Sequence, residues 1–547
     1  MTRPSTEPKW PHCGRDATAQ DRVGCRGRRV LSHLRCLAHL AERHRADYLR
    51  SLAPGADIDH RGTTFTQPLL KALLDALHDP TTGNAHFGLA KFSEAQFCGD
   101  VSFKGAQFRD AWFGGAQFSG KASFYKAQFA VMAWFGPVVC EGTVDLSGAV
   151  FEAPVTLEIA APEVRFWRTR WEATSTVRLR YAATDLSDAV LTFPVAVTSH
   201  PARFRIREGA EVEDRHLLGN ATKVQVKSVR GVDAAHLVLA DLDLTDCVFS
   251  GAFHLDQLRL EGRCTFASVP PGWHWRHWHP VRFTPRRTLA EEHHWRATQP
   301  TALSGWKAAT EPGPVEPAAT EPGPVEPAAT EPGPEPAAEP GPEPAAEPGP
   351  EPAQLAAVYR ALRKAFEDSK NEPGAADFYY GEMEMRRHDR TRTSPVEHRT
   401  DTTPVEHRTD TTPVEHVLLH GYWMLSGYGL SAFRALGWLA AAMLVTIVLL
   451  MGLGLPQDSP KQEATGTVDG GKVTFKIDKS VLQNPTEDQF TCKRFEKALN
   501  VTLNSVVFRS SGQDLTTAGT YIEMASRVTE PILLGLAVLA VRSRVKR

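Results

Sequence analysis

The chain has 547 residues, 42% of them hydrophobic and 23% charged, with a formal net charge of −2. So long a chain divides into several parts, and so neutral a one gives no global argument for a nucleic-acid partner or for anionic lipid. Eight cysteines are too few for a disulfide framework, and seven precede the apolar C-terminal runs, as suits a reducing cytosol.

The opening stretch, MTRPSTEPKWPHCGRD, is polar and lacks the apolar core of a signal peptide. Residues 1–50 bring together Cys13, Cys25, Cys36 and His39. Thiolate and imidazole suit tetrahedral Zn2+, and Cys36-x-x-His39 can aim two ligands at one ion from a single turn. The separations are not those of a standard finger, so reduced cysteines without metal stay open, as do His12 and His33 as substitute ligands. Residues 51–83 read as a helical cap, with Leu69, Leu73, Leu74 and Leu77 at helical spacing.

From residue 84 a phenylalanine recurs at nearly every fifth position: Phe87, Phe92, Phe97, Phe103, Phe108, Phe113, Phe118, Phe124 and Phe129. From Phe92 onward a small residue stands two before each ring. A step of five keeps to no single face of a helix or of a flat strand. A backbone that turns a corner every five residues puts every ring in the same place on the next side of a coil. The stretch is a solenoid, placed at 84–270, regular at 84–135 and 232–260 and expected to be irregular between. A solenoid needs capped ends, and the His/Trp-rich 271–300, with His274, His277, His279, His293 and His294, reads as a strap sealing the C-terminal one. A metal site or a basic aromatic surface for nucleic acid is the alternative there.

This pattern resembles the pentapeptide-repeat family in its Phe-centred variety. The resemblance implies a mainly β fold, a right-handed quadrilateral β-helix with the large residue inside. It also implies a helical linker region and two C-terminal transmembrane helices, because the later segments YRALRKAFED, DFYYGEMEMRR and SGYGLSAFRAL are similar to those of bacterial pentapeptide-repeat membrane proteins.

A Pro/Glu/Ala/Gly repeat occupies the linker 301–353; its composition cannot form a packed core and favours an extended spacer. A helical pair is expected at 354–392, a nonapeptide-repeat linker (PVEHRTDTT, with three His open to metal) at 393–416, and an interfacial segment at 417–435. The apolar run 436–456 has the length of a first transmembrane helix. A loop at 457–523 then leads to a second helix at 524–541 and a basic tail at 542–547. Basic residues flank both apolar runs on the outer sides, so the positive-inside rule puts both ends in the cytoplasm of a plasma-membrane protein, with 457–523 outside.

No HExxH, GxxxxGK[ST] or GxSxG is present, and the sequence reads as no enzyme. The leading function is a membrane-tethered scaffold whose solenoid binds an unidentified protein partner. DNA mimicry, which some pentapeptide-repeat proteins perform against topoisomerases, needs an acidic face. Residues 86–130 carry five Lys/Arg against three Asp/Glu, the wrong sign. A third reading is a degenerate two-helix channel regulated by the solenoid. Gly512, Asp514, Leu515 and Thr516 match the Gly-x-Asp-Leu-Thr that follows a cation filter, but Phe508 and Arg509 stand where backbone carbonyls must line the path.

Overall fold

The computed structural model describes residues 7–131, 134–206, 209–217, 219, 223–276, 278–300, 302–308, 351–389, 413–456, 463–469, 472–478, 489–507 and 512–545. The Pro-rich repeat and most of the nonapeptide repeat lie outside them. The chain forms two compact units, Met1–Glu382 and Met383–Arg547.

The first unit is a parallel β-solenoid. Phe87 pairs in register with Phe108, and the ladder continues through Phe129, Phe151, Trp171 and Leu191. One coil thus takes twenty to twenty-two residues, about four pentapeptides. Three sides carry short parallel strands. On the fourth, Phe92 N donates to Trp112 O at 2.8 Å and Glu94 N to Gly114 O at 2.9 Å. The rings stack in four columns: Phe87 on Phe108 at 4.7 Å, Phe92 on Phe113 at 5.4 Å, Phe97 on Phe118 at 4.6 Å, and Phe103 on Phe124 at 5.1 Å. All eight are buried, as are Ala90, Ala95, Ala106, Ala111 and Ala116 beside them. Small residues let the backbone fold close while each large ring fills the centre.

The corners explain why five residues suffice per side. At one corner, equivalent residues of successive coils adopt the left-handed conformation: Gly105 (φ 67°), Lys126 (56°), Gly148 (67°) and Arg168 (54°). At the two non-glycine positions this costs about 1–2 kcal/mol, which the surrounding ladder outweighs.

Beyond Phe129 the interior changes chemistry, and the register slips only at bulges, between Phe135 and Val138 and between Thr184 and Asp185. Leu157 and Val177 follow Phe135, and Leu191 follows Phe151 and Trp171, while Val144 and Val164 continue the line of Ala122; all are buried, and pairing runs through Val195–Ser199. Apart from those bulges, the expected irregularity is confined to an excursion after Ser199. There Phe204, Val212 and Leu217 pack outside the coil against Val139 and Ala160, and Asp214 holds buried Arg180 at 3.0 Å. The ladder then resumes, Val195 pairing with Leu237.

The first coil begins before residue 84. Ile58 pairs with Ala90 and Phe65 with Phe97, so part of the stretch read as helical cap is solenoid. The helix Gln67–Ala76 leaves from this coil and buries Leu69, Leu70 and Leu73.

At the other end, part of the expected 271–300 seal takes part in the closure, but its exposed tryptophans do not. Trp273, Trp275 and Trp278 are 65%, 69% and 90% exposed; they lie on a hairpin pairing His274–Arg276 with His279–Val281. The end is closed by the helices Ala290–Ala297, Pro352–Asp368 and Glu372–His388. Phe266, from the last coil, meets Phe366 at 5.7 Å and Phe378 at 5.2 Å. Glu291 Oε1 accepts the backbone N–H of Phe249 at 2.5 Å and of Ser250 at 2.9 Å. Burial raises the Glu291 pKa, while these bonds satisfy its oxygen.

The second unit contains the helices Pro413–Ser426, Ala432–Leu449, Cys492–Val506 and Thr517–Val545 and the hairpin Glu463–Asp469/Lys472–Asp478. Two spans, Ala432–Gly454 and Thr517–Arg542, are long and apolar enough to cross a membrane. The second helix begins at Thr517 and not near Met524, because Thr516 bonds back to the first: its N donates to Gly454 O at 3.0 Å. Halfway along, Thr446 Oγ1 donates to Glu530 Oε1 at 3.0 Å, giving the buried carboxylate a partner from the facing helix. Trp423 lies beside the start of the first span, with the Arg387 and Arg434 guanidinium groups 4.5 and 4.9 Å from its ring.

Between the two spans sits the helix Cys492–Val506. Its Ala498 and Val501 are buried against Leu450, Met451 and Leu455. Arg494 donates to the carbonyls of Met451 and Leu455 at 2.8 Å and of Pro456 at 3.1 Å. Those acceptors end the first span and have no intrahelical donors.

Candidate metal centre

The N-terminal module is built by two short crossings. Cys13 N donates to Gly27 O at 2.8 Å, Gly14 N to Cys25 O at 2.9 Å, and Cys25 N to Arg15 O at 2.8 Å, so Cys13 and Cys25 come from adjacent backbone segments. The third segment is a single 3-10 turn, Leu37–His39, with Cys36 as its N-cap. One turn puts His39 over the Cys36 sulfur.

Cys13 Sγ and Cys36 Sγ each lie 3.5 Å from His39 Nδ1, and Cys25 Sγ lies 3.7 Å from Cys36 Sγ. The four ligand atoms fall within 4.8 Å of one another. Bonds of zinc length to sulfur and nitrogen give a tetrahedron with edges of about 3.6–3.8 Å, so the set has the size of one coordination sphere. Cys13, Cys25 and Cys36 are buried, and four protein ligands leave no open position for substrate. Gly27 makes the approach possible: a Cβ there would sit 2.7 Å from Cys36 Cβ and 2.8 Å from its sulfur.

Electrostatics point the same way. The hydrogen bond from Cys36 lowers Cys25 to about 5, while giving that bond, together with burial, pushes Cys36 up. A thiolate is therefore ready within the cluster, and a cation at its centre would draw the remaining protons off.

The module is fastened to the solenoid. Arg28 N donates to Arg61 O at 2.8 Å, and Arg26 pairs with Glu94 at 3.2 Å. Trp10 Nε1 donates to Arg26 O at 2.9 Å. These contacts place the Cys/His module on the first coil.

Among the described residues the other histidines do not join a metal-sized group. His33 stacks on His44 at 5.0 Å, and His12 is absent from the cluster. His274 is buried beside Phe283, ring centres 5.3 Å apart, and His293 Nε2 lies 2.9 Å from Thr288 Oγ1. His277 lies outside the described residues, as do Phe508 and Arg509. Among the described residues, Cys13, Cys25, Cys36 and His39 are the one group arranged for a metal.

Stacked rings, parallel ladders and a five-residue step define a pentapeptide solenoid. Residues 83–128 match the family model for pentapeptide repeats (9 copies), so the chain carries a pentapeptide-repeat stretch, together with two apolar C-terminal helices. No curated protein and no solved structure matches the chain.

Proposed function

We propose that this chain is a membrane-anchored, non-catalytic scaffold whose solenoid walls bind a protein partner. The observation that carries this reading is that both ends of the rod are covered: by the Cys/His module and the helix Gln67–Ala76 at one, by the helical pair at the other. What is left is side wall, a parallel ladder with outward rows such as Gln107 beside Gln128. Structural zinc held by Cys13, Cys25, Cys36 and His39 stiffens the N-terminal cover. The flanking basic residues favour a plasma-membrane protein with both ends in the cytoplasm.

Photo-crosslinking residues placed at Gln107 and Gln128 on one wall, and at Ser102 and Ser123 on another, test the scaffold in cells. One wall should yield a discrete crosslinked species and the other little. Equal, diffuse crosslinking from both walls counts against a docking surface.

A second reading is supported by the helix Cys492–Val506, which lies between two apolar helices like the pore helix of a two-helix channel. Conduction is not expected, because a bulky Phe508 and a cationic Arg509 stand where a cation filter needs backbone carbonyls. Potassium flux in liposomes carrying the full chain, abolished by G512V, would favour the channel instead.

A further inference from the structure

The hairpin His274–Arg276/His279–Val281 has no part in closing the solenoid. Strand alternation separates its residues. His274 turns inward, buried, with Nδ1 3.4 Å from Ser304 Oγ, whereas Trp273 and Trp275 point the other way. Trp278, at the tip, is 90% exposed. Three neighbouring exposed tryptophans are unusual on a soluble surface.

The surrounding charge is one-sided. From residue 262 to residue 290 there is no Asp or Glu, while Arg263, Arg276, Arg282, Arg286 and Arg287 fall in that stretch. Arg286 is engaged by Glu292, and Arg287 lies near Asp377. Arg263 and Arg282 are exposed. Tryptophan favours the boundary between headgroup and acyl chain, and each arginine near an anionic leaflet adds about 1 kcal/mol of attraction. Arg263 sits by Asp241, which leaves Arg282, beside the second strand, as the exposed guanidinium next to the indoles. Exposed indole with a neighbouring cation fits a lipid surface better than a protein, whose apolar patches do not demand charge of one sign.

We propose that this hairpin is a peripheral membrane contact, with Trp273, Trp275 and Trp278 seated at the headgroup boundary of an anionic bilayer. It rests on the anchored reading above and adds a second point of attachment.

The test uses the full chain reconstituted into vesicles of brominated phosphatidylcholine, with or without brominated phosphatidylglycerol. Flotation reports the anchor, and quenching of tryptophan emission reports the hairpin. Wild type and the W273S/W275S/W278S variant should both float. In phosphatidylglycerol vesicles the wild type should lose more emission than the variant, by up to roughly a quarter, since three of twelve tryptophans reach quencher depth. The excess should shrink in phosphatidylcholine alone and in high salt. Flotation with equal quenching of both proteins overturns the hairpin contact and leaves the anchor standing. Binding of a labelled duplex oligonucleotide by the wild type and not by the variant, in lipid-free detergent, would assign the surface to nucleic acid and also overturn it. A chain that floats with neither vesicle overturns both readings together. The substituted side chains are exposed, so the variant should melt like the wild type.

Discussion

The Arg286 guanidinium donates to Glu292 Oε1 at 2.6 Å with both side chains sealed from water. Arg296 joins the same oxygen at 2.7 Å, and the Tyr359 hydroxyl donates to Oε2. This network ties the helix that follows the last coil to the helical pair. Removing its carboxylate charge leaves two arginines facing each other in the interior. E292Q should cost about 3–5 kcal/mol, read by urea unfolding of the full chain in detergent.

The same group predicts acid behaviour. Burial raises the pKa of Glu292, but the charges of Arg286 and Arg296 and their hydrogen bonds outweigh it, holding it at about 2 against the usual 4.5. The folded state therefore keeps this site deprotonated where the unfolded chain protonates. Its contribution, about 3 kcal/mol, is complete above pH 4.5 and is lost as pH falls from 4.5 to 2. Wild-type stability should drop through that window. In E292Q this component should be absent; an unchanged slope would show that other carboxylates control the acid limb.

Metal analysis of the purified full chain should find about one zinc per molecule. C36S should abolish it, whereas C98S, which changes an exposed thiol outside the cluster, should not. G27A should weaken zinc retention against a chelator, because its methyl group enters the space of the Cys36 sulfur. A zinc-free wild type that ignores chelator would leave three reduced cysteines and no metal role.

F113A should destabilise the solenoid by about 3–5 kcal/mol, since Phe113 is fully buried and contacts rings on three sides. Q128A removes an exposed side chain from the outer wall and should fall within about 0.5 kcal/mol of wild type. Matching losses from the two would mean that the interior is not held by these rings.

Cys492 and Cys98 are both exposed, one between the apolar helices and one on the solenoid. An impermeant thiol reagent should label Cys492 on intact cells and reach Cys98 only after permeabilisation. The reverse pattern would invert the membrane orientation. Cys140 and Cys247 are buried and should stay silent in both states.

The solenoid was legible because five is a period that no flat strand or helix uses, and Phe at that period is hard to mistake. After Phe129 the same coils are built with Val164, Leu179 and Leu186, whose small sizes blur the step; the family match at 83–128 ends in the same place. The Cys/His set could be named from residue types, but its convergence depends on the Cys13–Gly27 crossing, which no spacing rule encodes. Within 271–300 the closing residues were harder to read, because tryptophans look like core. Their real signal was the adjacent Glu291 and Glu292: on a helix neighbours diverge, and here one reaches the last coils while the other meets Arg286 and Arg296. The helix between the membrane spans went unread because its polar residues, including Arg494, hid a short apolar face.

Each coil of this rod climbs by one strand spacing, about 4.8 Å, for twenty to twenty-two residues of chain. The excursion after Ser199 shows that extra sequence can leave the coil and return at the cost of one bulge, where Thr184 meets Val226 and Asp185 meets Ser228, before Val195 meets Leu237 in register. Length along the axis and length of sequence are thereby uncoupled. Selection can decorate the walls by inserting at a corner, whereas the distance between the two covered ends changes only in whole coils. A partner that touches two sites along the wall meets a ruler graduated in fixed steps, and duplicating one coil would move those sites apart by a single graduation while leaving each intact.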